Sequence, residues 1–260
     1  MSAIHGMVNA RKEREKALQD ARFKVNDGSR GVEHFYGITG ESHGYFQNRV
    51  AQLSRGKRLL EFGCGNGANA LRLCGQAMHV AGIDISDVAV EIGKSRAAES
   101  GIDNVDFFAM DAEKLRFEND SFDVICGVGI LHHLDLVRAY GELARTLRPS
   151  GHAIFIEPLG HNPVINLFRR VTPKIRTPDE HPLRQGELEL ASEFFGEVRL
   201  SYYHLCALAA APFGASAFGN RLSRMLNRLD RRLFTAVPSM TKYAWFVVIE
   251  MSQPIKRPGI

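Results

Sequence analysis

Residues 58–158 predict an α/β fold, a mostly parallel sheet with helices on both faces. Three observations carry this. Five short apolar runs alternate with helical stretches: RLLEF (58–62), HVAGID (79–84), VDFFAMD (105–111), FDVICGVGI (122–130) and GHAIFIEP (151–158). Strand, helix, strand at this spacing implies parallel strands joined by crossover helices. The runs are apolar throughout rather than alternating, as strands covered on both faces should be. Gly75, Gly101 and the Pro149/Gly151 pair punctuate the helix ends.

In chain order, residues 8–25 (VNARKEREKALQDARFKV) predict a charged helix. Residues 1–56 are read as an N-terminal helical cap and 57–260 as the main domain. Between the strands lie ANALRLCGQA, SDVAVEIGKSRAAESG, the short AEKLRF and DLVRAYGELARTLRPSG. After Pro158 comes a Pro- and Arg-rich connection, 159–183, with one short helix, VINLFRR. A helix over 184–195, a strand over 197–205 and a final apolar strand over 242–251 follow. Residues 206–241 form an insertion between two strands expected to pair. A hairpin loop needs two to five residues, so this is an added element.

Hydrophobic residues make up 45% of the 260 and charged residues 24%, which excludes a disordered, collagen-like or coiled-coil chain. A net charge of +4 is too diluted to argue for nucleic acid. The four cysteines form no CxxC pair and read as reduced thiols. The first residues lack the apolar core of a signal peptide. Residues 200–220 carry no charge, but Pro212, Gly214 and Gly219 argue against a bilayer span.

The segment Glu61-Phe62-Gly63-Cys64-Gly65-Asn66-Gly67-Ala68 follows the first strand and opens a helix. Glycines there let backbone approach a ligand, and a helix N-terminus offers free N–H groups. The spacing also fits a dinucleotide fingerprint. Glu61 separates the readings: it would repel a pyrophosphate and welcome an amino-acid ammonium. Asp84 ends the second strand where a ribose-binding acid is expected, although an N-cap role competes. Asp111 ends the third strand, where it can accept from an adenine amine or cap the next turn.

Taken together, EFGCGNG, GIDIS, MDAEKL and DSFDVICGVGILHHL resemble the motifs of the class I S-adenosylmethionine-dependent methyltransferases, nearest to the ubiquinone/menaquinone-type and natural-product enzymes. The resemblance implies a Rossmann-like sheet of seven strands in the order 3-2-1-4-5-7-6, strand 7 antiparallel. It implies S-adenosyl-L-methionine as cofactor and S-adenosyl-L-homocysteine as product. Gly63, Gly65 and Gly67 would line the methionine moiety, with Cys64 between them, and Glu61 would face its ammonium. Asp84 would take the ribose, Ile85 would pack on adenine, and Asp111 with Ala112 would hold the adenine amine. Cys126 and Val128 would pass near the sulfonium. An N-terminal lid would bring Tyr36 to the cofactor, with Phe35, Tyr45 and Phe46 as further aromatics.

Methyl transfer needs a base only when the acceptor must lose a proton. His132, His133 and His161 are the candidates. Glu157, Asn162, Glu180 and His181 are candidate acceptor-side groups. In RLSRMLNRLDRRLF, Leu222, Leu226, Leu229 and Leu233 share one helical face, with five arginines on the remainder. That pattern suits a cap packed by its leucines, a dimer contact or a membrane-surface helix. The expected acceptor is a small, hydrophobic lipid, quinone or natural-product-like molecule, methylated at O, N or C. The alternative is a protein or RNA acceptor. Absence of an Asp/Asn-Pro-Pro-aromatic segment after strand four argues against DNA amine chemistry. Glu61 disfavours a nicotinamide dehydrogenase, and the four motifs disfavour a non-catalytic module. No metal and no nucleic acid are expected. The expected location is cytoplasmic, as monomer or homodimer, with a peripheral contact to the inner face of a membrane through 206–241 left open.

Overall fold

A computed structural model describes residues 2–26, 37–172, 181–214 and 216–256, with side chains of the first helix described over 10–25. The apolar runs become β1 (Arg58–Phe62), β2 (His79–Asp84), β3 (Val105–Ala109), β4 (Phe122–Val128) and β5 (Leu147–Pro158). Two later strands, β6 (Phe195–Tyr203) and β7 (Phe246–Pro254), complete a sheet ordered β3-β2-β1-β4-β5-β7-β6. β7 runs antiparallel to both β5 and β6, and the other pairings are parallel. This is the expected topology.

Successive strand residues point to opposite faces, so each strand feeds two cores. Leu60, Ala81, Ile125 and Phe155 enter one cluster. It is covered by α5 (Leu136–Thr146), α7 (Gln185–Glu189) and the 3₁₀ turn after it. Leu59, Val80, Val124 and Ile154 enter the other, under α2 (Gly40–Leu53), α3 (Ala68–Cys74) and α4 (Asp87–Glu99). The apolar runs have no solvent face because both sides are covered.

Three local expectations change. Residues 112–117 are a turn, not a helix. Glu142 accepts the Leu115 N–H at 2.6 Å, and Arg145 donates to the Leu115 and Phe117 carbonyls at 3.2 and 2.8 Å. These side chains take the groups that a helical turn would use. β5 begins at Leu147 rather than near 151, because Pro149 disfavours a helical residue before it. The helix expected over 184–195 is α7 followed by a 3₁₀ turn over Leu190–Glu193.

The N-terminal helix α1 (Ser2–Asn26) lies against α4 and over the carboxyl ends of the strands. Phe46 belongs to α2 and is buried on its inner face. The Tyr45 hydroxyl donates to Glu250 of β7 at 2.5 Å. Neither serves the cofactor side, so the expected aromatic lid is not formed by them. Phe35 and Tyr36 lie outside the described residues.

The insertion is a 3₁₀ turn (Cys206–Phe213), helix α8 (Ala217–Ala236) and a second 3₁₀ turn (Pro238–Tyr243). α8 does not bury its leucine face. Its inward residues are Gly219, Ser223, Asn227 and Asp230. The Asp230 carboxylate accepts the N–H groups of Leu205, Cys206 and Ala207 at 3.0, 2.7 and 3.3 Å. Capping the preceding turn makes this buried acid a requirement. Leu222 and Leu226 are half-buried, while Met225 and Leu229 are more than half exposed. Among the described residues no helix is long and apolar enough to cross a membrane.

Candidate functional site

β1 ends at a turn whose three glycines all have positive φ: +63° at Gly63, +52° at Gly65 and +78° at Gly67. Gly63 and Gly65 line a cleft with about 200 Å³ of free volume at the carboxyl edge of the sheet. Gly67 does not. A Cβ there would lie 2.6 Å from the Phe107 ring and 3.1 Å from the Gly93 backbone. Its bareness serves the packing of α3 on β3 and α4.

Glu61, two residues before Gly63, is buried. Oε1 accepts from the Asn69 amide at 2.7 Å, while Oε2 is buried with no hydrogen-bond partner among the described residues. Burial pushes this carboxyl up to about 7, against the hydrogen bond from Asn69 and the charge of Arg72. A buried carboxylate lacking a partner is costly unless a cation meets it.

Asp84 ends β2 on the cleft wall, with Ile85 beside it. Its two oxygens accept the N–H groups of Gly65 and Ser86, both at 2.9 Å, so it ties the glycine turn to the next strand. Burial raises its pKa above the usual carboxylate value, with these bonds opposing. Ser86, not Asp84, caps α4 by accepting from Ala89 at 3.1 Å. Each carboxylate oxygen keeps a further lone pair. Asp111 and Ala112 also line the cleft. Asp111 accepts the Glu113 N–H at 2.9 Å and the Lys12 ammonium at 2.6 Å.

Lys12 belongs to α1, which supplies Arg11, Lys12, Glu15, Gln19, Arg22 and Phe23 to the cleft wall. Lys12 also pairs with the buried Glu113 at 2.7 Å, and Arg11 pairs with Glu113 as well. Further along, Lys16 pairs with Asp87, and Asp20 accepts from Ser86 Oγ at 2.5 Å. α1 is thus held over the mouth by polar contacts. Sequence reasoning missed Lys12, Glu113 and Asn69. Only the basic and acidic alternation of α1 hinted at such pairing.

Past β4, Val128 and His133 line the cleft, whereas Cys126 is fully buried within the sheet. Cys126 therefore does not line the cleft. Cys64 is buried behind the turn and donates weakly to the Gly65 carbonyl. Glu157 is fully buried. Oε1 accepts the N–H groups of Ile130 and Leu131 at 2.9 and 2.8 Å, and Oε2 meets His132 Nδ1 at 2.7 Å. The His132 and His133 rings lie 4.2 Å apart. His133 Nδ1 is 3.5 Å from the Glu15 carboxylate of α1.

The remaining predicted groups lie elsewhere. Asn162 is buried and caps α6 (Pro163–Val171), accepting from Ile165 at 3.1 Å and donating to the Tyr243 carbonyl at 2.6 Å. His161 Nε2 accepts the Gln185 N–H at 3.4 Å. His181 is exposed and pairs with Glu187 at 2.9 Å. None of the three lines the cleft, because local caps and pairs occupy them. Glu180 lies outside the described residues. No cluster able to hold a metal ion occurs among the described residues.

A seven-stranded sheet in this order, with a glycine turn after β1 and acids ending β2 and β3, has its counterpart in known proteins. Residues 59–151 match the family described as methyltransferase domain. The likeness to that family covers this segment, which holds β1 to β4 and the start of β5. The chain is 30% identical over 156 residues to the uncharacterized methyltransferase YcgJ of Bacillus subtilis (strain 168), covering 59% of this chain and 61% of that one. It is 33% identical over 116 residues to the demethylmenaquinone methyltransferase of Clavibacter sepedonicus, covering 44% and 46%. The chain therefore spans under two thirds of these relatives. The fold matches phosphoethanolamine N-methyltransferase 2 of Haemonchus contortus, solved with S-adenosylhomocysteine, at a TM-score of 0.62, 16% identity, and 91% and 60% coverage.

Proposed function

We propose that the protein transfers a methyl group from S-adenosylmethionine to an O, N or C atom of a small hydrophobic acceptor of lipid, quinone or natural-product type. S-adenosylhomocysteine is the product. The observation that carries this reading is the placement of three acids at the carboxyl ends of adjacent strands. Glu61 lies buried just before the bare glycine turn with Oε2 unpartnered among the described residues, while Asp84, which ends β2, and Asp111, which follows β3, line the cleft. An amino-acid ammonium, a ribose diol and an adenine amine match that sequence of groups, so the residues fit the cofactor.

When bound, the cofactor supplies an electrophilic methyl on a sulfonium. Binding and alignment fall to this chain. Glu61 would face the ammonium, and Gly63 and Gly65 would bring their backbone close. Asp84 would accept from the ribose hydroxyls, Ile85 would pack on adenine, and Asp111 with Ala112 would hold its amine. Val128 lines the wall where the acceptor enters. For an acceptor that must lose a proton, His133, which lines the cleft, would take it. His132, held by Glu157, is a positioning residue that fixes the turn and the neighbouring ring. α1 covers the cleft and excludes water.

The connection at 159–183, of which residues 173–180 lie outside the described residues, would form the acceptor side together with 206–241, which would form a cap and meet a membrane peripherally. The demethylmenaquinone enzyme among the relatives is named for a quinone, which supports a hydrophobic acceptor.

Calorimetric titration with S-adenosylhomocysteine should show binding that Asp84→Ala abolishes. Retained affinity would overturn the site. With methyl-labelled cofactor and a cell extract, label should partition into the organic phase. Label in precipitated protein or RNA would instead favour a macromolecular acceptor.

A further inference from the structure

We propose that the outward faces of α6 and α8 form one docking surface for an anionic lipid membrane, setting the acceptor-side edge of the sheet against the bilayer. The proposal rests on the peripheral contact suggested above and adds its residues and the charge of its lipid partner.

Topology sends the two helices from the same edge of the sheet. β5 and β6 are both antiparallel to β7, so they run in the same direction. α6 leaves the carboxyl end of β5, and the turn leading to α8 leaves that of β6. This is the edge at which the cleft opens. Ile165 of α6 and Leu222 and Leu226 of α8 pack into the same core cluster.

Outside that cluster, both helices present apolar rows to solvent. On α6, Val164, Leu167 and Val171 recur at i, i+3 and i+7, each at least 60% exposed. On α8, Phe218, Met225 and Leu229 recur at i, i+7 and i+11, each more than half exposed. Such spacings keep each row on one side of its helix. Phe213 extends the α8 row by its edge contact with Phe218, at 4.9 Å between centroids. The outer side of a helix is convex, so neither row forms a groove for a peptide.

Charge selects the partner. Arg221, Arg224, Arg228, Arg231 and Arg232 are exposed on α8. Arg231 pairs with Glu41. Asp230, the one acid in the helix, is turned inward and capped against backbone. An exposed apolar strip bordered by arginines is the pattern of a helix lying in a membrane interface. A two-fold contact with a second copy would set the arginine row against itself, and like charges there disfavour association. Anionic headgroups complement the row.

The test is flotation of the full chain with vesicles, without cofactor. Phosphatidylcholine vesicles in which phosphatidylglycerol replaces part of the lipid should carry the protein at low ionic strength; phosphatidylcholine alone should not. Binding should weaken as salt rises. Met225→Asp with Leu229→Asp, and separately Arg224→Ser with Arg228→Ser, should each weaken binding at least about tenfold. These side chains are exposed, and circular dichroism checks that each variant folds. Wild-type protein that ignores the anionic vesicles overturns the proposal. So does equal binding by the aspartate variant. A dimer in sedimentation velocity that the aspartate variant splits, with no vesicle binding, assigns the surface to a second copy. Cofactor titration of the same samples reads the methyl-transfer proposal separately.

Discussion

Glu61 illustrates how a single buried carboxyl can report on a cofactor. Its pKa is raised to about 7 by burial, against 4.5 for an unburied glutamate. An acid whose pKa rises on folding binds protons more tightly in the native state, so stability falls as pH climbs between the two values. Ionised Glu61 thus costs the ligand-free protein about 3 kcal/mol above pH 7. Glu61→Gln should remove that penalty. Relative to the variant, the wild type should lose thermal stability as pH rises from about 5 to 8. Parallel melting-temperature profiles for the two proteins would refute the assignment. The variant should also bind S-adenosylhomocysteine more weakly, since a neutral amide cannot match an ammonium. Gly67 makes the complementary point. Gly67→Ala meets both a positive φ and the buried Phe107 ring, so it should destabilise by roughly 1–3 kcal/mol. Cofactor affinity of the folded fraction should change little. Denaturant melts with and without ligand distinguish the two effects.

Among the elements, α1 differs in kind from the helices that flank the sheet. Those helices are held by apolar side chains in two core clusters. α1 is held by Arg11, Lys12, Lys16 and Asp20 against Glu113, Asp111, Asp87 and Ser86. Ion pairs at a partly solvated mouth are screened by salt. Amide hydrogen exchange over residues 10–25 should therefore accelerate as ionic strength rises, with the strands unaffected. Lys12→Met should reproduce the effect at low salt. Exchange in α1 that stays as slow as in β4 at high salt would contradict this attachment. Because Lys12 sits on Asp111, the same salt titration should alter the rate of cofactor association.

Across the whole molecule, the sheet was readable because its strands carry uninterrupted apolar runs between glycine and proline boundaries. The resemblance of four motifs supplied the strand order, which spacing alone does not determine. The cleft was readable at Asp84 and Asp111, whose positions at strand ends follow from the fold. Residues whose partners are remote in sequence were not. Asn162 looked like a pocket group and is a helix cap; Cys126 looked close to the ligand and points into the core. The leucine stripe of α8 suits a packed cap, a dimer contact or a membrane-surface helix. Asp230 leaves that stripe only partly buried, because three backbone N–H groups of the preceding turn require its carboxylate inside. α1 escaped prediction as a cleft wall for the same reason in reverse, since its anchors are charged rather than apolar.

The position of β7 has a consequence for biosynthesis. Among the described residues β6 pairs with no strand except β7, and β7 also closes the edge of β5. A ribosome that has released residues up to about 240 displays β1 to β5 ready to pair, an open β5 edge, and a β6 with nothing to join. Until the last segment emerges, that edge can recruit other nascent chains. β7 therefore closes the sheet, and slow synthesis of residues 206–245 would prolong the interval in which the β5 edge stays open.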